Sequence, residues 1–386
     1  MTPRALSPLI ALFLMAALWT GCGGGGNSRS ETIATGDDPV ALTFTPDGRL
    51  FFAEKYSGII RVVGSDGNLV EQPFADIDVA DWLNLDWGLT GLAVPPNFAE
   101  SPYLYVFYTQ PLPSSPEQPI AKPVLARFEA SGNVAGPQET LIDDFEQMQL
   151  GHQGFRANGP AHFGADGMLY LSMGDYDYGK QVGPNGIPWA LDPAQPIGKV
   201  LRVDPGGQVV GDSPFASDGN ADGRVYAYGF ANSRDFAIQP VTGAIFNSDA
   251  TDSCEEINVV TAGGNYSWPD VGEFPFADCL AGPGTKGIYF PSKPDTTAGQ
   301  FQSTVNIAGM AFLTGDKYPS LGEGLLICEK VTGRLRLLTL GGANGQEVTA
   351  DSTIVEDCAG SVAVGTDGLI YYTNATEVKR VKPDEE

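Results

Sequence analysis

The sequence is short of the residues that most metal and nucleophile chemistry requires. Its 386 residues hold two histidines and five cysteines, and no two cysteines form a CxxC pair. A structural zinc site, which wants four closely spaced Cys or His ligands, is a poor fit to that count. Basic residues are scarce as well. Lys and Arg number 22 against 47 Asp and Glu, a formal charge of −25, which argues against nucleic acid or an anionic membrane surface as a partner. There is no P-loop, no dinucleotide fingerprint and no Ser-His-Asp arrangement. Nor does any apolar run reach the ~20 residues a membrane-crossing helix needs. The longest, residues 9–19 (LIALFLMAALW), is about half that length. A sustained helical period is also missing.

What is present is a chain of turns and short apolar strands. Glycine and proline contribute 49 and 29 residues, below the roughly 25–30% that marks low complexity. The apolar run behind Arg4 reads as the core of a signal peptide spanning residues 1–21. It ends in Trp-Thr-Gly-Cys, which is similar to a bacterial lipobox and makes Cys22 the expected lipidation site; ordinary cleavage without lipid is the alternative, because Trp19 stands where that pattern prefers an aliphatic residue. The glycine-rich stretch that follows suits a tether over 22–36, with a single folded domain over 37–383. Export to the cell envelope, with the membrane reached only through the lipid, is the expected localisation. The remaining cysteines, Cys254, Cys279, Cys328 and Cys358, fit disulfides in an oxidising compartment. Cys254–Cys279 and Cys328–Cys358 is the preferred pairing, because each closes a loop of about thirty residues or fewer; two other pairings stay open.

Six self-similar modules run along the chain: 40–63, 88–128, 160–204, 236–260, 309–340 and 361–381. Each carries an apolar strand, a turn, a second apolar strand, and a third after a glycine or longer link. The fold class expected from this repeat is all-β, a six-bladed β-propeller. Residues 131–159, 176–196 and 261–308 exceed what ordinary blades need and are expected as long loops, where a site would be built.

The strings HFGADGMLYLSMGD, AQPIGKVLRVDPGG, VYAYGFANSRDFAIQPVTG and EEINVVTAGGNYSWP resemble, in order, the glucose/sorbosone dehydrogenase family. The resemblance implies a six-bladed propeller that oxidises aldoses with pyrroloquinoline quinone and Ca²⁺. By that resemblance Asp175 matches the aspartate that orients a catalytic histidine. The histidine's own position holds Arg156, and His152 would serve only through a loop insertion. An Arg156–Asp175 ion pair is the alternative, and His162 is expected to pack between blades. A quinone with three carboxylates needs cationic donors. Asn232, Arg234 and Lys330 match or neighbour the family's cofactor contacts, and Arg156 is a further candidate. An arginine is missing at Ala231, and Cys358 and Gly360 stand where paired arginines are expected. Glu256 and Tyr266, with Asp249 nearby, fall where the family places a calcium. Asp218, Asn220 and Asp222 read as an Asp-Gly turn, because the twelfth position of that loop is Gly229 rather than the Glu a calcium loop requires.

Two functions fit these residues: oxidation of a sugar by a quinoprotein, or a surface propeller that lost the cofactor and binds a glycan or protein. A calcium-dependent lactonase fits less well.

Overall fold

A computed structural model describes residues 29–80, 86–115, 117–149, 156–157, 159–250, 255–269, 288 and 305–384. Within them the chain forms six antiparallel sheets arranged as propeller blades. Their innermost strands are Pro39–Phe44, Leu89–Ala93, Ala161–Phe163, Ser233–Ile238, Ile307–Leu313 and Val362–Val364, for blades 1 to 6 in chain order. Among the described residues no helix is long and apolar enough to cross a membrane.

The second strand of each blade explains the ring. Leu50–Glu54, Leu169–Met173, Ile245–Ala250, Gly324–Glu329 and Ile370–Thr373 are buried at every position. Such continuous apolar runs belong to sheets covered on both faces. Successive side chains then pack against opposite neighbours. Phe51 joins a core cluster shared with blade 2, and Phe52 one shared with blade 6. Tyr170 faces blade 4 while Leu169 and Leu171 face blade 2. Ile327 faces blade 4 and Leu326 faces blade 6. The core is therefore six apolar layers, one between each adjacent pair of blades, rather than a single centre.

Turn chemistry sets the register between the first and second strands. In blades 1, 3 and 6 the link is an Asp-Gly turn with the glycine at positive φ: Gly48 (87°), Gly167 (74°) and Gly368 (78°). In two of these the aspartate also accepts a tyrosine hydroxyl from the strand it introduces, Tyr170 to Asp166 at 3.0 Å and Tyr371 to Asp367 at 2.8 Å.

Two expectations are corrected. Residues Ser30–Thr35, expected in the tether, form the outer strand of blade 6 and pair with Glu377–Val381. Ser30 Oγ donates to the Tyr372 hydroxyl at 2.9 Å, and that hydroxyl donates to Asp357, so the first and last described strands are sewn into one sheet. Residues 131–159 are not all loop: Val134–Ile142 and Met148–Gln149 both pair with the third strand of blade 2. Val134–Ile142 is mostly exposed and lacks an apolar signal. It is held by pairing and by a cross-strand ion pair, Arg127 to Glu139 at 2.8 Å.

Cys328 and Cys358 form a disulfide with a Cα–Cα distance of 5.6 Å, tying blade 5 to the approach of blade 6. Residues 1–28, and with them the signal segment and Cys22, lie outside the described residues, as do Cys254 and Cys279.

Candidate active site

All six blades converge on an axial mouth. Its floor comes from the starts of the inner strands, with Val40, Thr90, Asn232, Arg234, Ala308 and Gly360 among them. Lys55 and Lys330 reach it from the ends of the second strands of blades 1 and 5. These two lysines are equivalent in the repeat: each follows a buried glutamate that pairs outward with an arginine seven residues on. Glu54 holds Arg61 at 2.6 Å and Glu329 holds Arg336 at 3.0 Å. The glutamates are thus neutralised away from the mouth, leaving the neighbouring lysines to charge it.

Among the described residues, three cations, Lys55, Arg234 and Lys330, share this mouth with one carboxylate, Asp86. Arg234 lies 3.7 Å from Asp86. Burial alone would push the Asp86 carboxyl up. Arg234, Lys55, the Arg156 N–H and Lys330 outweigh it and hold Asp86 below the usual carboxylate value. Burial pulls the Lys55 amine down, and Arg234 adds to that against Asp86 and Asp38. Arg234 Nε is buried without a hydrogen-bond partner, and so is Asn306 Oδ1 on the same wall. A donor and an acceptor are left open at a site that carries excess positive charge.

Beside the mouth lies the pair singled out in the sequence. Asp175 is fully buried, two residues beyond the second strand of blade 3. It faces Arg156 at 3.4 Å rather than a described histidine, since His152 lies outside the described residues. Trp268 Nε1 donates to Asp175 at 2.6 Å, and the N–H groups of Asp177 and Gly179 donate at 2.9 and 3.0 Å. Burial still raises its carboxyl above the ordinary range, with Arg156 chief among the opposing influences. Arg156 takes a left-handed backbone (φ 57°) that aims its N–H at Asp86, at 2.8 Å. Gly174 is needed for this approach: a Cβ there would stand 2.2 Å from the Arg156 carbonyl oxygen. Gly360 has a similar reason. Its added Cβ would meet Thr373 Oγ1 at 2.3 Å, so the arginine expected there does not fit.

Asn232 lines the mouth because Asp249 holds its backbone, accepting from Asn232 N–H at 2.6 Å and Ala231 N–H at 3.0 Å. Burial pushes the Asp249 carboxyl up to about 6 against those two bonds. With both oxygens spent on backbone, Asp249 acts as a strut for the mouth. Asp249 and Glu256 do stand opposite each other on paired strands. The Tyr266 hydroxyl, however, is committed to Val259 O at 2.6 Å and Thr261 N–H at 3.0 Å. Among the described residues no three His, Cys, Asp or Glu side chains gather to hold a metal ion. The turn at 218–223 also has a local role: the Asp222 carboxylate pairs with Arg224 at 2.7 Å.

The sequence reading missed Lys55, Asp86 and the strut Glu255, which accepts from Asn306 and Ile307 N–H at 2.8 and 2.6 Å. For Lys55 a signal existed in the repeat itself, since AEKYSG and CEKVTG are the same device in two blades.

A family model described as glucose/sorbosone dehydrogenase matches residues 36–381. The chain is 25% identical over 374 residues to aldose sugar dehydrogenase YliI of Escherichia coli, covering 90% of each chain. It is 25% identical over 252 residues to quinoprotein glucose dehydrogenase B of Acinetobacter calcoaceticus, covering 60% of this chain and 50% of that one. The fold superposes on the PQQ-bound form of aldose sugar dehydrogenase from Streptomyces coelicolor with a TM-score of 0.69, at 20% identity over 92% of this chain and 97% of that one.

Proposed function

The chain belongs to the glucose/sorbosone dehydrogenase family, and from that premise we propose that it is a quinone-dependent sugar dehydrogenase with pyrroloquinoline quinone held in the axial mouth. The single observation that carries this reading is the convergence of Lys55, Arg234 and Lys330 on one cavity with Asp86 as the carboxylate facing them. A small planar tricarboxylate matches that charge excess. Arg234 offers an unpaired donor, and the Asn232 amide and Asn306 carbonyl supply neutral contacts. When bound, the quinone supplies the two-electron acceptor for a sugar hydroxyl. The chain's own residues anchor carboxylates, exclude bulk water between six blades, and receive the proton. Asp175 fixes the wall of the site by holding Arg156 and Trp268. The described side chains do not form a calcium site, and no step is assigned to that ion.

Export with a lipid on Cys22 is part of the same proposal. Labelling with a radioactive fatty acid would test it, and a C22S chain that still takes label would refute it.

The second reading, a non-catalytic surface propeller that binds a glycan or protein, is favoured by one specific observation. The family's base position is filled by Arg156, and Asp175 is committed to it. Reconstitution with pyrroloquinoline quinone and Ca²⁺, followed by dye-linked oxidation of an aldose panel, separates the two. Turnover supports the dehydrogenase; the absence of both quinone binding and turnover on any aldose selects the second reading.

A further inference from the structure

Next to the mouth lies a narrower throat that shares Val40, Thr90, Arg234 and Ala308 with it. The throat holds a second polar pair, distinct from Arg156 and Asp175. His162, on the inner strand of blade 3, packs against blade 4 as expected, and its side chain, 34% exposed, also lines the throat. Its ring packs edge-on against Phe236 at 4.8 Å, and its Nε2 lies 3.1 Å from Asp235 Oδ1 on the inner strand of blade 4.

Asp235 is rigidly placed. Its Oδ1 also accepts from the Phe236 N–H at 2.8 Å, and its Oδ2 from the Met310 N–H of blade 5 at 2.6 Å. An ionised carboxylate only accepts, so in the neutral ring Nε2 carries the hydrogen and Nδ1 keeps its lone pair. This is the layout of a base held by an orienting carboxylate. Among the described residues the titratable groups lining the throat are His162, Asp235 and Arg234. Arg234, in turn, faces Asp86 in the mouth. The throat is polar and has room for about one or two water molecules, and a water there would bridge His162 toward the wall it shares with the mouth at Thr90 and Arg234.

We propose that His162, oriented by Asp235, is the proton acceptor of the axial channel. The inference rests on the dehydrogenase reading above. Oxidation of a sugar alcohol to a carbonyl breaks one C–H and one O–H bond. The C–H hydrogen leaves with two electrons to the quinone-class acceptor. The hydroxyl proton passes through throat water to His162 Nδ1 and then to solvent. A histidine is the side chain suited to this traffic near neutral pH, and Arg156, always protonated, is not.

Two measurements on the full mature chain test it. The first needs no turnover. In H152A, His162 is the one remaining imidazole, because the chain has two histidines. Its ¹⁵N signals should report a single Nε2–H tautomer, which D235N should convert to a mixture. An Nδ1–H tautomer, or no change in D235N, overturns the dyad.

The second is kinetic, with pyrroloquinoline quinone and an aldose. H162A and the more conservative H162Q should each lose roughly 10²-fold in kcat, with quinone affinity unchanged within about twofold. Added imidazole should restore H162A, an outcome that a purely structural role would not produce. Unchanged kcat in a folded H162Q overturns the inference while leaving the dehydrogenase reading intact. A wild type that binds quinone but turns over no aldose overturns both.

Discussion

Consider the variant R156M. In the native chain Arg156 lies 3.4 Å from Asp175, 3.6 Å from Asp177 and 5.7 Å above the Trp268 ring. Asp175 is fully buried, so removing the guanidinium leaves a carboxylate without a countercharge in a closed site. Breaking one side of a buried pair costs about 3–5 kcal/mol, a large part of the 5–15 kcal/mol that stabilises a typical domain. The bonds from Trp268, Asp177 and Gly179 remain and keep the cost from running higher.

The loss should depend on pH in a defined direction. Burial already holds the Asp175 carboxyl above its ordinary value, and loss of Arg156 raises it further. A native acid with a raised pKa binds a proton that the unfolded chain has released, so its stability falls as pH rises through that interval. Urea denaturation followed by tryptophan fluorescence should therefore show a loss of about 3–5 kcal/mol at pH 8 that shrinks at pH 5.5. The double variant R156M/D175N should recover most of it. A loss under about 1 kcal/mol at pH 8, or one just as large at pH 5.5, would refute the view of this pair as a buried, mutually dependent charge couple.

Three more outcomes follow from other parts of the structure. R234M and K330M should each weaken pyrroloquinoline quinone binding by about tenfold or more, as expected for a charge-assisted hydrogen bond; a salt-sensitive loss in both, measured by fluorescence quenching, checks this. C328S/C358S removes a crosslink between residues 30 apart, which is worth about 3–4 kcal/mol. Its melting point should fall and become indifferent to dithiothreitol, and an unchanged melting point would count against a structural disulfide. Asp249 sits at about 6 in the fold against 3.8 for the unperturbed group, so it makes wild-type stability fall between roughly pH 4 and pH 6. D249N should lose that slope in a pH series of denaturation curves, and parallel curves would contradict the strut role.

Much of the scaffold is visible in the residues, because each blade repeats its own local signals. Residues 40–63 and 160–204 both announce an apolar strand, an Asp-Gly turn and a second strand, and those turns sit where their glycines require. Ring closure by Ser30–Thr35 was hidden, since its partner Glu377–Val381 lies about 345 residues away and nothing local points to it. The mouth was half legible. Asn232, Arg234 and Lys330 came from the family pattern, whereas Asp86 is a solitary charge that only the ring brings opposite Arg234. His162 and Asp235 were unreadable as a pair for the same reason. They belong to different blades, and their 3.1 Å approach exists only once neighbouring inner strands pack side by side. The Arg156–Asp175 pair could be anticipated from alignment of MGD with the family motif. Its consequence, a base position closed by a salt bridge, needed the geometry.

The mouth, as we propose, is an anion site built for a quinone cofactor. Titration of the mature chain with pyrroloquinoline quinone, followed by quenching of intrinsic tryptophan fluorescence at moderate salt, tests it most directly. Saturation is expected at one quinone per chain, with affinity reduced in R234M and in K330M and little changed in H162Q. No saturable binding, or binding that is indifferent to the loss of both cations together, would contradict it.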